Sequence, residues 1–259
     1  MQHIDHTPTA SFKIVLVGDQ SVGKTHLLHQ YVQGTAPPHV QATLGVEFHA
    51  KTQMIEVFQT AESLQKVMIK MSFFDTAGEE KYHAVTACHY RNAKGAIIVY
   101  DVTNRQSFEN VERWLNDARQ LAAQDCVIMV LGNKTDVDLP QEMSLGDIHY
   151  TPPLRGKIPL QREVSLQEGL DLAKQHEVIF FEVSALQNVN IDRAMKVMSE
   201  KLYEQFLIMR MRRLDQIMAQ EITEQQQGVK LRGNRSQSRF ECCISSGRHD
   251  GEGQQQRCC

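Results

Sequence analysis

Shortly after its start the chain reads Gly18-Asp19-Gln20-Ser21-Val22-Gly23-Lys24-Thr25, directly behind an apolar run at 12–17 and ahead of a helical pattern that continues to Gln33. The octapeptide matches GxxxxGK[ST] in the strand–loop–helix setting that this pattern requires. Its backbone N–H groups and the helix N-terminus can bind phosphate oxygens, while Lys24 reaches the β- and γ-phosphates and the Thr25 hydroxyl ligates Mg²⁺. Glycine-rich loops also form ordinary tight turns, so other motifs in the sequence are needed to distinguish a phosphate-binding loop from a turn.

The composition limits the class of protein. A length of 259 residues allows one large domain or two small ones, and a formal net charge of −3 with mixed signs gives no reason to expect a nucleic-acid partner. No apolar run approaches the roughly 20 residues that span a bilayer. The start of the chain shows neither a signal-peptide segment nor a glycine at position 2, so we expect a soluble, intracellular front end with a flexible stretch at 1–11.

The six cysteines are Cys88, Cys126, Cys242, Cys243, Cys258 and Cys259. Without a secretory signal, a reducing compartment is favoured over disulfides, and no CxxC pair is present to bind zinc. We expect Cys88 and Cys126 to be core or near-core thiols, because their neighbours are apolar. The four tail cysteines need another explanation.

Strand-like and helical patterns alternate along most of the chain. We predict strands at 13–18, 47–58, 67–74, 96–101, 127–132 and 178–183, and helices at 24–33, 82–91, 107–123, 166–176 and from Asn190 onward. This alternation predicts an α/β fold with a six-stranded, mostly parallel sheet and helices on both faces. The second and third strands follow one another directly through a turn at 60–63, which predicts one antiparallel edge strand.

The predicted domain contains two insertions and is followed by a tail of different composition. We place the domain at 12–210, with insertions near 60–65 and at 137–162, where prolines are frequent and periodicity is weak. Residues 211–259 form the end of the last helix and a tail. From Gln226 the tail is rich in Gln, Gly, Ser and Arg, a composition that predicts disorder.

Four further motifs complete the pattern, and three of them follow predicted strands, at the edge where open α/β sheets bind ligands. Asp75-Thr76-Ala77-Gly78 can hold Mg²⁺ through Asp75 and meet a γ-phosphate with the Gly78 amide. In Asn133-Lys134-Thr135-Asp136, the Asp136 carboxylate can accept hydrogen bonds from guanine N1–H and its exocyclic amine, a donor pair that adenine lacks. Ser184-Ala185-Leu186 offers the Ala185 amide to guanine O6, and Thr43 lies in a loop that can close on Mg²⁺.

With these motifs in this order, the chain resembles the Ras superfamily and, within it, the Rab family of small GTPases over about 12–206. The resemblance is strongest in Gly45-Val46-Glu47-Phe48, His89-Tyr90-Arg91-Asn92-Ala93-Lys94-Gly95 and Val99-Tyr100-Asp101-Val102-Thr103-Asn104. It implies a P-loop NTPase G-domain that binds GTP or GDP with Mg²⁺ and hydrolyses GTP. Lys24, Thr43, Gly78 and Glu79 would act in catalysis, and Thr25, Thr43 and Asp75 would hold the metal.

The resemblance also implies partners and a location. These are a guanine-nucleotide exchange factor, a GTPase-activating protein, a Rab escort protein or GDP-dissociation inhibitor, and effectors that bind the GTP state of a monomer during vesicle transport. Effectors of this family read an aromatic triad, which here would be Phe48, Phe74 and His89. We expect the chain on the cytoplasmic face of an endomembrane compartment, exchanging with the cytosol.

The terminal pair Cys258-Cys259 looks like the double-cysteine ending of Rab proteins, which implies geranylgeranylation of both thiols. Two lipid chains anchor a protein stably, whereas one holds it only marginally. Cys242 and Cys243 are either palmitoylation sites or exposed spare thiols. The scattered basic residues of the tail either attract anionic lipid or belong to a solvated linker; they are Lys230, Arg232, Arg235 and Arg239.

Glu79 stands where the family has its catalytic glutamine. A carboxylate keeps the hydrogen-bond acceptor for the attacking water, loses the amide donor and adds negative charge near the γ-phosphate. Repulsion would slow hydrolysis, whereas proton abstraction by the carboxylate would assist it. We expect altered hydrolysis, slowed with ordinary GTPase-activating partners.

Ala36 and Val40 stand where the family has an aromatic residue on the guanine face and a tyrosine near the γ-phosphate. Losing a base stack of about 1–3 kcal/mol predicts nucleotide release about ten-fold faster or more. Alternatively, Pro37-Pro38 redirect the loop and another side chain covers the base. Together with Glu79, these departures leave a rival open, namely a scaffold that binds nucleotide but does not cycle.

Overall fold

The structure, a computed structural model, describes residues 8–35, 43, 45–60, 63–76, 88–138 and 161–244, with the backbone alone at 58–60, 63, 221 and 224–244. The strands are β1 Ala10–Val17, β2 Val46–Thr60, β3 Ser63–Thr76, β4 Gly95–Asp101, β5 Val127–Asn133 and β6 Ile179–Glu182. The helices are α1 Lys24–Gln33, α2 Arg105–Glu109, α3 Val111–Leu121, α4 Leu166–His176 and α5 Ile191–Ile244. The chain divides into two units after Phe206.

The six strands form one sheet in the order β2-β3-β1-β4-β5-β6. All neighbouring pairs are parallel except β2 and β3, which form an antiparallel hairpin at one edge and pair as far as Thr60 with Ser63. The predicted sheet and its antiparallel edge strand are therefore confirmed. Because β1 lies between β3 and β4, the loop after β1 leaves the sheet where the strand order reverses, which is the usual ligand site of open α/β sheets.

Alternating residues of β1 enter two separate cores, as its strand periodicity requires. Ile14 and Leu16 belong to the core on the α1 and α5 face, with Leu27, Leu28, Met195 and Met198. Val15 and Val17 belong to the core on the opposite face, with Val111, Trp114, Leu115 and Ala118 of α3. The prediction of helices on both faces is confirmed, and the sheet is held rigidly beneath its loops.

Several predicted element boundaries differ from the structure. The helix expected at 107–123 is two helices separated at Asn110, and α2 starts earlier because the Asn104 side chain accepts a hydrogen bond from the Ser107 N–H. Most of the helix expected at 82–91 lies outside the described residues. Cys88 is exposed, so the prediction of a core thiol is wrong there. Cys126 is half-buried, and burial raises its pKa to about 12.

The second unit differs from the disordered tail that the composition predicts. Helix α5 continues through Ile244, so Gln226–Ile244 is helical in the structure. Lys, Arg and Gln favour a helix and no proline interrupts this segment, whereas Gly228 and Gly233 disfavour it, so helix propensity alone does not explain the continuation. Residues 245–259 lie outside the described part, as does most of the insertion at 137–162. Within the described residues, no helix is both long and apolar enough to cross a membrane.

Candidate functional site

The loop that follows β1 can be built only with glycine at its two ends. Gly18 has φ of 138°, and a Cβ there would lie 2.1 Å from the carbonyl oxygen of Val99 on β4. Gly23 has φ of 97° and is the residue that precedes α1. Both positive φ values disfavour any residue with a side chain. The glycines therefore let the loop lie directly on the sheet edge and turn into the N-terminus of α1.

Lys24, the first residue of α1, points back into this loop. Its Nζ donates to the carbonyl oxygens of Gly18 and Asp19, both at 2.8 Å, and the residue is 6% exposed. Burial lowers the pKa of Lys24 to about 8, and the charges of Asp75 and Asp19 offset part of that shift. The loop thus holds a desolvated ammonium that an anionic ligand would stabilise.

Three oxygen-bearing side chains meet beside the lysine, as the sequence predicts. Thr25 Oγ1 donates to Asp75 Oδ2 at 2.5 Å and lies 3.0 Å from Thr43 Oγ1. Asp75 is fully buried near the end of β3, and its Oδ1 has no hydrogen-bond partner among the described residues. Burial is the main cause of a raised pKa at Asp75, while the bond from Thr25 opposes it. An unpaired buried carboxylate oxygen beside two hydroxyls suits a hard cation such as Mg²⁺.

Asn133, at the end of β5, joins two other loops. Its Nδ2 donates to the carbonyl oxygen of Val22 at 2.8 Å, and its Oδ1 accepts from the Ala185 N–H at 3.1 Å. A Cβ on Gly23 would lie only 2.4 Å from that Nδ2. Asn133 therefore connects the loop at 18–25 with the one after β6. The Ala185 N–H, predicted to bind guanine O6, already serves Asn133 and would have to share or exchange that bond.

The remaining predicted base-binding residues are also held by side-chain contacts. Lys134 Nζ donates to the carbonyl oxygen of Ser21 at 2.9 Å and lies 2.6 Å from Asp101 Oδ2. Ser184 Oγ donates to Asp136 Oδ1 at 2.7 Å, which orients that half-buried carboxylate. Leu186 is 64% exposed and makes no such contact in the described part of the chain. The geometry brings these motifs to one edge of the sheet.

Two residues of the site, Asn110 and Trp114, are not predicted from the sequence to contact this loop. Asn110 Nδ2 donates to Asp19 Oδ2 at 2.6 Å, and Trp114 Nε1 donates to Asp19 Oδ1 at 3.0 Å. These donors lie at the start of α3, more than ninety residues along the chain from the loop that they hold. They fix the first turn of the loop after Gly18 through a carboxylate that sequence analysis treats only as a loop position.

The aromatic triad is assembled on the outer face of the hairpin. The ring centroids of Phe48 and Phe74 lie 5.4 Å apart, and those of Phe74 and His89 lie 6.0 Å apart. Phe48 is 60% exposed, and Lys13 Nζ lies 4.9 Å from the Phe74 ring centroid. Burial, followed by the charge of Lys13, lowers the pKa of His89. An exposed aromatic patch of this kind suits a protein partner.

Some predicted site residues lie outside the described part of the chain. They are Gly78 and Glu79 of the predicted catalytic segment, Ala36 and Val40 of the predicted base-side loop, and the lipidation pair Cys258 and Cys259. Their roles stay predictions from sequence.

Known proteins resemble the chain over its first unit. A model of the Ras family matches residues 13–204. Ras-related protein RGP2 of Oryza sativa subsp. japonica is 36% identical over 200 residues, which cover 77% of this chain and 78% of that protein. Ras-related protein Rab2BV of Beta vulgaris is also 36% identical over 200 residues, covering 77% of this chain and 79% of that protein.

Similarity also reaches beyond the first unit. Ras-related protein RABA5c of Arabidopsis thaliana is 32% identical over 232 residues, which cover 90% of this chain and 94% of that protein. The order of the strands, the glycine-bounded loop at 18–25 and the match to the family model all point to the same family. The chain therefore belongs to the Ras family of small GTPases, on its Rab branch.

Proposed function

We propose that this protein is a GTP/GDP-dependent switch of vesicle transport whose nucleotide lies along the loops at 18–25, 133–136 and 184–186. Lys24 and the loop amides would bind the phosphates. Asp136 would accept from guanine, and Asn133 would hold the two loops in register. Family membership supports GTP hydrolysis in general, and the residue assignments rest on the contacts of this chain.

The unpaired oxygen of Asp75 is the single observation that carries the proposal. A buried acceptor without a partner costs about 1–3 kcal/mol, and it lies beside the hydroxyls of Thr25 and Thr43. Mg²⁺ would neutralise phosphate charge when bound there. Thr43 sits just ahead of β2, so a ligand that engages it would order the segment on which effectors of Rab proteins act.

The aromatic triad supports effector recruitment in the GTP state. Phe48 lies at the start of β2, within six residues of Thr43, so the position of Thr43 can be read on the exposed patch. The terminal cysteines would carry two prenyl chains, attached with the help of an escort protein. Exchange and GTPase-activating factors would act on the cytoplasmic side. This part rests on the sequence of the tail and on the family.

Identifying the nucleotide that co-purifies with the full chain tests the proposal. We expect stoichiometric GDP, displaced by GTP in the presence of Mg²⁺. Persistent GTP or an empty site would instead favour the scaffold that does not cycle.

Single-turnover hydrolysis then tests Glu79. We expect Glu79→Gln to hydrolyse bound GTP about ten-fold faster or more in the presence of a GTPase-activating protein, because glutamine restores an amide donor without the negative charge. The adjacent Glu80→Gln is the matched control, since it changes the same charge one residue away. Equal rates for Glu79→Gln and the native chain would contradict a role for position 79.

A further inference from the structure

We propose that His29, Glu47 and His49 form a second metal site that binds one Zn²⁺ ion and joins α1 to the start of β2. Each residue offers one ligand atom, and these atoms all lie within 4.8 Å of one another. None of the three belongs to the nucleotide site. The inference therefore stands whether or not the proposed nucleotide assignments are correct.

The fold brings these side chains to one surface. Glu47 and His49 are two residues apart on β2, so their side chains share a face of the strand. They pair with Asp75 and Phe73 of β3, which point into the buried side of the sheet. Helix α1 covers the same side, where His29 projects from it and its ring centroid lies 5.2 Å from that of His49.

Neighbouring contacts fix the distance between α1 and β2. Tyr31 Oη donates to Gln53 Oε1 at 2.6 Å, and Lys51 Nζ donates to the Tyr31 carbonyl oxygen at 2.5 Å. The Tyr31 and Phe73 rings pack edge to face with centroids 5.7 Å apart. These contacts hold both elements in place, so the imidazoles face one another on a preformed support.

Both imidazoles carry a nitrogen that nothing satisfies within the described residues. His29 Nδ1 and His49 Nε2 are buried atoms without a hydrogen-bond partner. Glu47 Oε2 lies 3.6 Å from His49 Nε2, too far for a hydrogen bond. Most buried polar side-chain atoms are paired, and an unpaired one costs about 1–3 kcal/mol. Two such atoms beside a carboxylate indicate an electron-pair acceptor between them.

The donor set selects the metal. Two imidazoles and a carboxylate are the protein ligands of many open zinc sites, with the fourth position left for water. Imidazole suits zinc and other late first-row metals, whereas Mg²⁺ prefers oxygen ligands such as those of Thr25, Thr43 and Asp75. The two sites therefore differ in chemistry, and excess Mg²⁺ should not fill the one at His29.

Binding requires a modest closure of the three side chains. Donors about 2.0–2.1 Å from a tetrahedral Zn²⁺ lie about 3.4 Å from one another, less than the present limit of 4.8 Å. Rotation of the half-exposed Glu47 carboxylate and of the two rings can supply the difference, because the backbone is already fixed. A bound ion would then fasten the strand that follows Thr43 to the helix that follows the phosphate-type loop.

Ring-nitrogen NMR of the full chain tests this site. The chain, labelled with ¹⁵N at its eleven histidines and saturated with GDP and Mg²⁺, is titrated with Zn²⁺ to a few equivalents, since tail thiols also bind zinc. We expect the ring signals of His29 and His49, assigned from His29→Gln and His49→Gln, to shift together. Each variant should bind at this site at least about ten-fold more weakly.

His176→Gln is the matched control. His176 Nε2 is also a buried atom without a hydrogen-bond partner within the described residues. Its charged neighbours are Glu112, 3.9 Å from Nε2, and Arg119, 3.4 Å from Nδ1, rather than a second imidazole and a carboxylate. Zn²⁺ should raise the unfolding temperature of the native chain and of His176→Gln by similar amounts, and that of His49→Gln by less. The temperature without zinc shows that each variant folds.

Unshifted His29 and His49 signals at saturating Zn²⁺ would overturn the proposal. An equal loss of binding in His176→Gln and His49→Gln would also overturn it. Glu47→Gln provides a third variant should His29→Gln, which lies on a buried helix face, fail to fold.

Discussion

The two halves of the proposed nucleotide site, the phosphate half at the loop 18–25 and the base half at 133–136 and 184–186, are built in opposite ways. In the phosphate half, Lys24 is a desolvated cation, and Asp75 has a buried oxygen without a hydrogen-bond partner in the described part of the chain. In the base half, Asn133 uses both ends of its amide, and Ser184 already holds one oxygen of Asp136. The charged groups of the phosphate half would gain from an oppositely charged ligand, whereas the polar groups of the base half are already hydrogen-bonded to one another.

This difference indicates separate sources of affinity and selectivity. Unmet charges in a buried loop gain most when an oppositely charged ligand arrives, so the phosphate half should dominate binding energy and its dependence on pH. A prearranged set of acceptors gains less per contact but rejects a ligand with the wrong donors. Substitutions in each half separate these two contributions.

The largest effect is expected at Lys24. Lys24→Met should weaken GDP binding about 100-fold, because charge-assisted hydrogen bonds contribute about 1.5–3 kcal/mol each. The substitution should also stabilise the nucleotide-free chain, since it removes a buried ammonium. Fluorescent-nucleotide titration and urea unfolding measure the two effects separately.

The pH dependence of stability gives a second measure of Lys24. Its pKa falls from 10.5 to about 8 on folding, so between these values the unfolded chain holds more protons than the folded one. The unfolding free energy of the nucleotide-free chain should therefore rise with pH above 8, by up to about 3 kcal/mol. Unfolding between pH 7.5 and 9.5 should show the slope in the native chain but not in Lys24→Met. Identical slopes would place the charge elsewhere.

A smaller, selective effect is expected at Asp136. Asp136→Asn should weaken GDP binding about ten-fold or more, because it replaces one of the two acceptor oxygens by an NH₂ donor, which would face a donor of guanine. It should improve binding of xanthosine diphosphate, because xanthine has an oxygen at C2 in place of the guanine amine, and this oxygen can accept a hydrogen bond from the new amide NH₂. Competition titrations with both nucleotides measure the switch.

Asp138→Asn is the control for Asp136, since it is the same change two residues on. Asp138 pairs with Arg162 on the exposed side and should affect neither nucleotide. An equal loss of affinity in both variants would show that nucleotide binding at this edge depends on the negative charge and not on the hydrogen bonds of Asp136.

The smallest effect is expected at the support of the phosphate half. Asn110→Ala removes the donor to Asp19 Oδ2 and should lower the unfolding free energy by about 1 kcal/mol, with GDP release several-fold faster. Gln106→Ala, which loses only its bond to Asn110, is the control. Unchanged release in Asn110→Ala would mean that Trp114 alone positions the loop.

Local patterns predict those parts of the fold and site that depend on neighbouring residues. The GxxxxGK[ST] stretch, the alternating strands and the motifs at 75–78, 133–136 and 184–186 follow from spacing alone. The sheet then brings them together because parallel strands end at one edge.

Contacts between distant parts of the chain leave no local signal. Asn110 and Trp114 reach Asp19 through the packing of α3, and His29 meets His49 because α1 covers the hairpin. The exposure of Cys88 and the extent of α5 also escape composition, since apolar neighbours do not fix the direction of a side chain.

The absence of a side chain at Gly23 couples the two halves of the site energetically. Only hydrogen fits between this residue and the Asn133 amide, so displacement of the loop at 18–25 must move the residue that fixes Ala185. Occupation of either half should therefore lower the free energy of filling the other, and this coupling is reciprocal. Pyrophosphate alone would tighten the base half, and guanosine alone would tighten the phosphate half by the same factor.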